Sequence, residues 1–278
     1  MNHARFFFAV FLFLAGCTAA QAPAPAADTP SPPAVSPSPA LALEPVLAAT
    51  AASTAEPTPL PPTLTPTPTA PAVQVCSPLV EHPIDELLLI VSDPYYRPPA
   101  NNPEGRHHGV DFSYYRRGER ESIAGIGVQA VLPGRVAMAL ADSFPYGNVV
   151  IIETPRAALP PDLLEAAALE EGESLYLLYA HMEGAPLVQV GDPVEACQPL
   201  GAVGRSGNAG IAHLHWEARR GPQGTTFTDM QFYDTRAAQE QIDDYLLWRI
   251  SGVYRHFNPL ELLFPGRVFP TVTPTPRE

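Results

Sequence analysis

The chain contains no lysine: all 16 of its basic residues are arginine, and 29 acidic residues outnumber them for a formal charge of -13. No basic face for nucleic acid is evident, so polyanion binding is set aside. Long apolar runs are missing as well. The one strongly apolar stretch, Phe6 to Ala15 after Arg5, falls well short of the roughly 20 residues a transmembrane helix needs and reads as a secretory signal. From Thr18 to Val75 there is no aromatic residue and no arginine, and only Asp28, Glu44 and Glu56 are charged. Such a segment cannot bury enough apolar surface to offset its ordering entropy, and its prolines favour a semi-extended tether.

Cysteine is scarce, with 3 in all, an odd number for an exported chain. The apolar run ends in Leu14-Ala15-Gly16-Cys17, which resembles the lipobox of bacterial lipoproteins, where the thiol receives a lipid. Setting Cys17 aside leaves Cys76 and Cys197, which an extracytoplasmic compartment allows to form a disulfide; two buried free thiols are the alternative. The organisation expected is a lipoprotein signal over 1–17, a Pro/Ala/Thr-rich tether over 18–75, a folded domain over 76–268 and a second Pro/Thr-rich tail over 269–278. The chain is expected to be exported, anchored to the cell-envelope membrane through Cys17, with its domain facing the wall.

Inside the folded limits the signals are mainly strand-like. Leu87 to Val91, Val128 to Val131, Arg135 to Leu140, Asn148 to Glu153, Leu175 to Ala180 and His213 to Arg219 are short, apolar or alternating, and bounded by Gly, Pro or Asn. The fold class is therefore all-β. Two short helices are expected as additions. Asp162 and Glu165 suggest a capping box opening a run that ends near Gly172, and Ile242, Leu246, Leu247 and Ile250 share a helical face.

Two histidine clusters carry the chemistry. In His107-His108-Gly109-Val110-Asp111 the outer residues would stand about 13 Å apart on a straight strand, too far for one metal ion, so the chain must bend, and Gly109 permits it. In His213-Leu214-His215 the period of two aims both imidazoles to one side. A third position, His181, ends the apolar stretch Tyr176 to Ala180, where a strand would bring it to the edge of a site. No His-Glu-x-x-His helix is present, so that arrangement of metal ligands with a glutamate base is not on offer.

The order His-x-Gly-x-Asp, Tyr-Ala-His, His-Leu-His-Trp-Glu resembles the lysostaphin-like zinc metalloendopeptidases. Gly127-Val128, Gly134, Gly147-Asn148, Val190-Gly191-Asp192, Gly204, Ser206-Gly207-Asn208 and Gly210 continue the likeness, which spans roughly residues 104 to 219. The resemblance implies an antiparallel β sandwich with a substrate groove, one zinc ion held by His107, Asp111 and His215, and His181 and His213 beside it as catalytic groups. Three protein ligands without a thiolate suit a catalytic zinc that keeps a position open. One unligated histidine would accept a water proton and the other would serve the oxyanion or leaving amine, with the assignment open.

The same resemblance implies peptidoglycan peptides as substrate. It also leaves a second reading, a non-catalytic wall-binding module or regulator acting with another envelope protein. Trp216 and Glu217 are read as strand packing and as a solvated or supporting carboxylate. His82, His108 and His256 fall outside the motif. Three stretches are longer than the family core: Asp111 to Gly127 with Arg116, Arg117 and Arg120, the acidic Thr154 to Ser174, and Gly221 to Arg255 before Asn258-Pro259. They either wall the groove or decorate the surface, decoration being the plainer expectation. Cys197 stands where the family often has glycine.

Overall fold

The computed structural model of the chain describes residues 73–99, 101–102, 105, 107–232 and 235–269. The signal with Cys17, the tether up to residue 72 and the tail from residue 270 lie outside the described residues. Among the described residues ten strands follow in chain order: β1 Val91–Asp93, β2 Val110–Phe112, β3 Gly127–Gln129, β4 Gly134–Ser143, β5 Gly147–Pro155, β6 Glu173–Met182, β7 Pro193–Val194, β8 Pro199–Ala202, β9 Leu214–Pro222 and β10 Arg255–Phe257. Three α-helices among the described residues interrupt them, α1 Pro161–Ala167, α2 Gln239–Arg249 and α3 Leu260–Leu263. The large sheet runs β1-β2-β9-β6-β5-β4-β7 with β10 paired to β9, β3 and β8 form a small second sheet, and the pairings are antiparallel. Among the described residues no helix is long and apolar enough to cross a membrane.

The central strands read as unbroken apolar runs because both faces of the sheet are covered. Val150, Ile152, Leu175, Leu177 and Tyr179 point into the main core, which the small sheet and the segment from Leu79 to Ile90 close. Val149, Ile151, Tyr176, Leu178 and Ala180 point the other way, into a second cluster with Phe227, Tyr245, Trp248 and Tyr254. The Gly221 to Arg255 stretch is thus a lid of aromatic side chains on the outer face of the sheet. The Thr154 to Ser174 stretch packs Leu159, Leu163, Ala167 and Leu169 onto the main core.

Among the described residues, Val73, Val75 and Phe269 also pack against the main core. Cys76 and Cys197 are joined by a disulfide with their Cα atoms 5.5 Å apart. Cys197 holds φ at 64°, the left-handed region that favours glycine, which accounts for a glycine at this point in the resembling family. The arginines before β3 are surface ion-pairers: Arg116 meets Glu121, Arg117 meets Glu86 and Arg120 meets Glu81.

Two local expectations need correction. Most of Leu87 to Val91 is not strand: Ile84–Leu89 forms a 3-10 helix, and only Val91 enters β1. Leu87 and Ile90 are buried while Leu89 is exposed, a period of three that matches the tighter helix. Asp162 and Glu165 make no capping box; α1 opens on Pro160-Pro161 with no side-chain cap and ends at Ala168, whose φ of 46° breaks it well before Gly172. The helix expected from Ile242, Leu246, Leu247 and Ile250 is α2, in which Tyr245 and Trp248 are buried and Leu246 and Leu247 pack partly buried against the same cluster.

Candidate metal centre

Strand β9 sets the site. Its alternation sends Leu214, Trp216 and Ala218 into the main core and leaves His215, Glu217 and Arg219 on the opposite face. On one side β2 pairs Asp111 with His215, and on the other β6 pairs Ala180 with His215. His107 comes from the bend before β2. Gly109 serves that bend by closeness rather than by a left-handed backbone: a Cβ there would lie 2.5 Å from the Trp216 carbonyl oxygen and 3.0 Å from Cε1 of His215.

His107 Nε2 lies 3.0 Å from Asp111 Oδ1 and 2.9 Å from His215 Nδ1, and His215 Nδ1 is 2.8 Å from the same carboxylate oxygen. The far nitrogen of each ring is engaged. His107 Nδ1 donates to the Pro94 carbonyl at 3.0 Å, and His215 Nε2 donates to Glu217 Oε1 at 2.9 Å. In its neutral form, the one that binds a metal, each ring turns a lone pair inward. Two lone pairs and a carboxylate oxygen this close repel one another unless a proton or a metal cation lies among them. Ligands on a tetrahedral zinc at bonds of about 2.0–2.1 Å stand about 3.3 Å apart, so this donor set fits such an ion with little adjustment.

The electrostatics agree. Burial works to raise the Asp111 carboxyl, but hydrogen bonds from His107 and His215 and the charge on those rings hold it well below the usual carboxylate range. Burial works to lower His215, yet its bonds to Asp111 and Glu217 outweigh that and carry it up to about 9 without metal. Glu217 is fully buried. Burial would raise it, and the charges of Arg219, His215 and Arg249 with the His215 bond keep it ionised. Its second oxygen accepts from Arg219 Nε at 2.8 Å and Trp248 Nε1 at 3.1 Å, while Tyr146 shares the first at 2.9 Å. A carboxylate behind a ligand imidazole fixes the tautomer and the ring angle.

His181 and His213 face each other with ring centroids 4.6 Å apart, and His181 stands 5.8 Å from His215. Their Nδ1 atoms donate to the carbonyls of Ser206 at 2.8 Å and Ile211 at 3.0 Å, leaving each Nε2 with its lone pair. Strict alternation after Ala180 would turn His181 into the core. Its φ of 62° reverses that, and backbone bonds from His181 to Tyr146 and from Gly204 to His181 fix the turn. Such a residue costs on the order of 1–3 kcal/mol, about what one buried leucine returns. Burial, with the charges of His215 and His213, pushes His181 down to about 3, so it stands neutral.

All five residues expected at the site line one cavity of about 370 Å³, together with Pro145, Tyr146, Asn208, Tyr245 and Arg249. Of the two readings offered for Glu217, the structure bears out the supporting one, behind His215 and away from solvent. Nothing in the sequence pointed to Tyr146 or Arg249. His108 and His256 lie outside the cavity but join its support. They stack at 4.3 Å, His108 Nδ1 accepts from Arg219 at 2.9 Å, and Tyr95 meets His256 at 2.8 Å. His82 is buried beside Tyr114 and takes no part.

The sequence model described as Peptidase family M23 matches residues 165–227, a span that holds His181, His213 and His215 and leaves His107 and Asp111 ahead of it. No curated protein matches the chain. Among solved structures, the catalytic domain of the antimicrobial peptidase lysostaphin from Staphylococcus simulans is 24% identical over 52% of this chain and 90% of its own, with a TM-score of 0.34. A variant catalytic domain of the prophage-encoded M23 protein EnpA from Enterococcus faecalis is 23% identical over 49% and 85%, with a TM-score of 0.34. A zinc-containing peptidase from Vibrio cholerae is 20% identical over 46% and 32%, with a TM-score of 0.31. The segment that carries three of the five expected site residues is thus the one similar to peptidase family M23.

Proposed function

We propose that this chain is a zinc-dependent endopeptidase that hydrolyses peptide bonds in peptidoglycan during wall remodelling, exported and held at the envelope membrane by a lipid on Cys17. The observation that carries the reading is the convergence of three acceptor atoms within 2.8–3.0 Å beside two further imidazoles. In this reading His107 through Nε2, Asp111 through Oδ1 and His215 through Nδ1 hold one zinc ion. Bound there with a position left open, zinc supplies Lewis acidity to a scissile carbonyl and to water.

The remaining chemistry belongs to the chain's own groups. The Nε2 lone pairs of His181 and His213 can each accept the proton that water loses as it attacks. His213 Nε2 has the Asp111 carboxylate 3.6 Å away, the partner an imidazolium needs, whereas buried His181 resists charge. This supports His213 as the group that takes the proton and hands it to the leaving amine, with His181 orienting water through its lone pair. The disulfide supports export, since such bonds persist in oxidising compartments.

The test is to load the full chain with zinc, incubate it with purified peptidoglycan and identify the released fragments by mass spectrometry. Wild type is expected to create new amine ends, and His213→Ala to keep one equivalent of zinc and create none. Loaded wild type that makes no new ends overturns the peptidase reading, and stimulation of an added amidase would then favour the regulator. Labelling with radioactive palmitate in a bacterial host tests the anchor. Incorporation is expected in wild type and absent from Cys17→Ala, and equal labelling of both removes Cys17 from the reading.

A further inference from the structure

The long stretch between Asp111 and Gly127 does more than decorate the surface. Its Ser113, Tyr114, Tyr115, Ser122 and Ala124 wall a cavity of about 660 Å³. The rest of the wall comes from residues 203–206 and 210–212, with Glu183. Two of these wall residues hold the rings beside the metal ligands, since the carbonyls that accept from His181 and His213 belong to Ser206 and Ile211. Ser113, two positions past Asp111, donates its hydroxyl to the Ala212 carbonyl at 2.8 Å. The cavity therefore adjoins the metal site along the side of its two unligated imidazoles.

Its lining combines apolar bulk with one charge of each sign. Tyr115 is 78% exposed and Ile211 is 41% exposed, which leaves their apolar surface open to an occupant. Arg116, Arg117 and Arg120 of the long stretch are held in ion pairs. Among the described residues, by contrast, the exposed side chains of Arg205 and Glu183 make no hydrogen bond or ion pair, with each other or with any neighbour. Their backbones nevertheless meet: a Cβ on Gly204 would lie 2.3 Å from the Cα of Glu183, so the chain just before Arg205 rests on Glu183. Two opposite charges that start from touching backbone and stay unjoined suit a ligand carrying both. The planar fork of a guanidinium matches a carboxylate, a carboxylate accepts from an ammonium, and apolar wall suits the methylene stem between such a head and its backbone.

We propose that this cavity binds the side chain of a diamino dicarboxylic acid in the peptide substrate, with Arg205 holding its terminal carboxylate and Glu183 its ammonium. The proposal rests on the peptidase reading above and names a residue that the substrate carries. Stem peptides of the wall hold a diamino acid that has this second carboxylate or, as lysine, lacks it. Arg205 and Glu183 together select the first.

The experiment uses the full, zinc-loaded chain and three synthetic stem pentapeptides that differ only at the diamino acid: meso-diaminopimelate, the same residue amidated at its side-chain carboxyl, and lysine. Binding is read by calorimetry in His213→Ala, where turnover does not intervene, and cleavage of peptidoglycan by mass spectrometry in wild type. The free acid is expected to bind about tenfold or more tightly than either of the others. Arg205→Met in the same background should erase that preference while zinc content stays at one equivalent, and Arg205→Lys should restore part of it. Glu183→Gln should weaken all three peptides alike, since each keeps the ammonium. Equal affinity for the three peptides, or no binding of any, overturns the proposal. So does a preference that survives Arg205→Met, an Arg205→Met loss that falls equally on all three, or full affinity in Glu183→Gln. If a variant does not fold, the comparison of the three peptides in His213→Ala decides alone. Cleavage without the preference would sink this proposal and leave the peptidase reading standing; the preference without cleavage would do the reverse.

Discussion

On one face of β9, Leu214, Trp216 and Ala218 enter an apolar core; on the other, His215, Glu217 and Arg219 form a column of charge with no solvent around Glu217 and Arg219. The two sets are interleaved in one strand and share a backbone, yet they answer different requirements. The apolar face needs volume. The polar face needs every donor matched to an acceptor, because an unpaired buried charge costs several kcal/mol. Binding chemistry therefore sits where hydrogen bonding, not packing, dictates the residue.

Substitutions that strike one face alone should break this contrast or sharpen it. The largest effect is expected from His215→Ala, which removes a ligand: zinc after dialysis, measured by plasma mass spectrometry, should fall from one equivalent to almost none. Retention of a full equivalent would place the ion elsewhere. Next comes Trp216→Ala, which should cost about 3–5 kcal/mol in denaturant unfolding while zinc per folded molecule is unchanged. A loss of zinc in that folded variant would show that the faces are not separable.

Glu217→Gln keeps the shape behind His215 and removes the charge. Zinc should bind about 10–100-fold more weakly in a competition titration with a chelator, and an unchanged affinity would reduce Glu217 to packing. The smallest effect is a pH dependence of stability. Burial and the Arg219 charge push His108 down to about 2 and His256 down to about 4, both below the unfolded value of 6.5. A histidine lowered in the folded state gives stability that is present above 6.5 and lost as pH falls toward the folded value. The melting temperature of the metal-free chain should drop on the order of 5 °C between pH 7 and 5.5. A flat profile over that window would mean that the stacked pair opens to water.

Much of this was legible because period two is a strong signal. It placed His213 and His215 on one side, and the unbroken apolar runs marked β5 and β6. Three features were not readable, each for its own reason. The outward turn of His181 depends on a left-handed residue that no neighbouring glycine announces. Glu217 reads equally as a solvated or a supporting acid until Arg219 and Trp248 are brought over it from 2 and 31 positions away in sequence. The reach of α2 over the cavity is a matter of tertiary docking, which no local pattern announces. Leu87 to Val91 failed more simply, since a short apolar run does not by itself choose between strand and 3-10 helix.

The bond between Cys76 and Cys197 closes a ring across 121 positions of sequence, and that ring contains His107, Asp111 and His181 but neither His213 nor His215. Closing a loop of about 100 residues is worth about 4.7 kcal/mol through the entropy it removes from the unfolded chain. That is a large share of the roughly 5–15 kcal/mol that holds an ordinary domain together. The oxidising power of the surroundings thus works as a control on assembly: a reduced chain gathers its two sets of metal-facing residues against a much larger ensemble than an oxidised one.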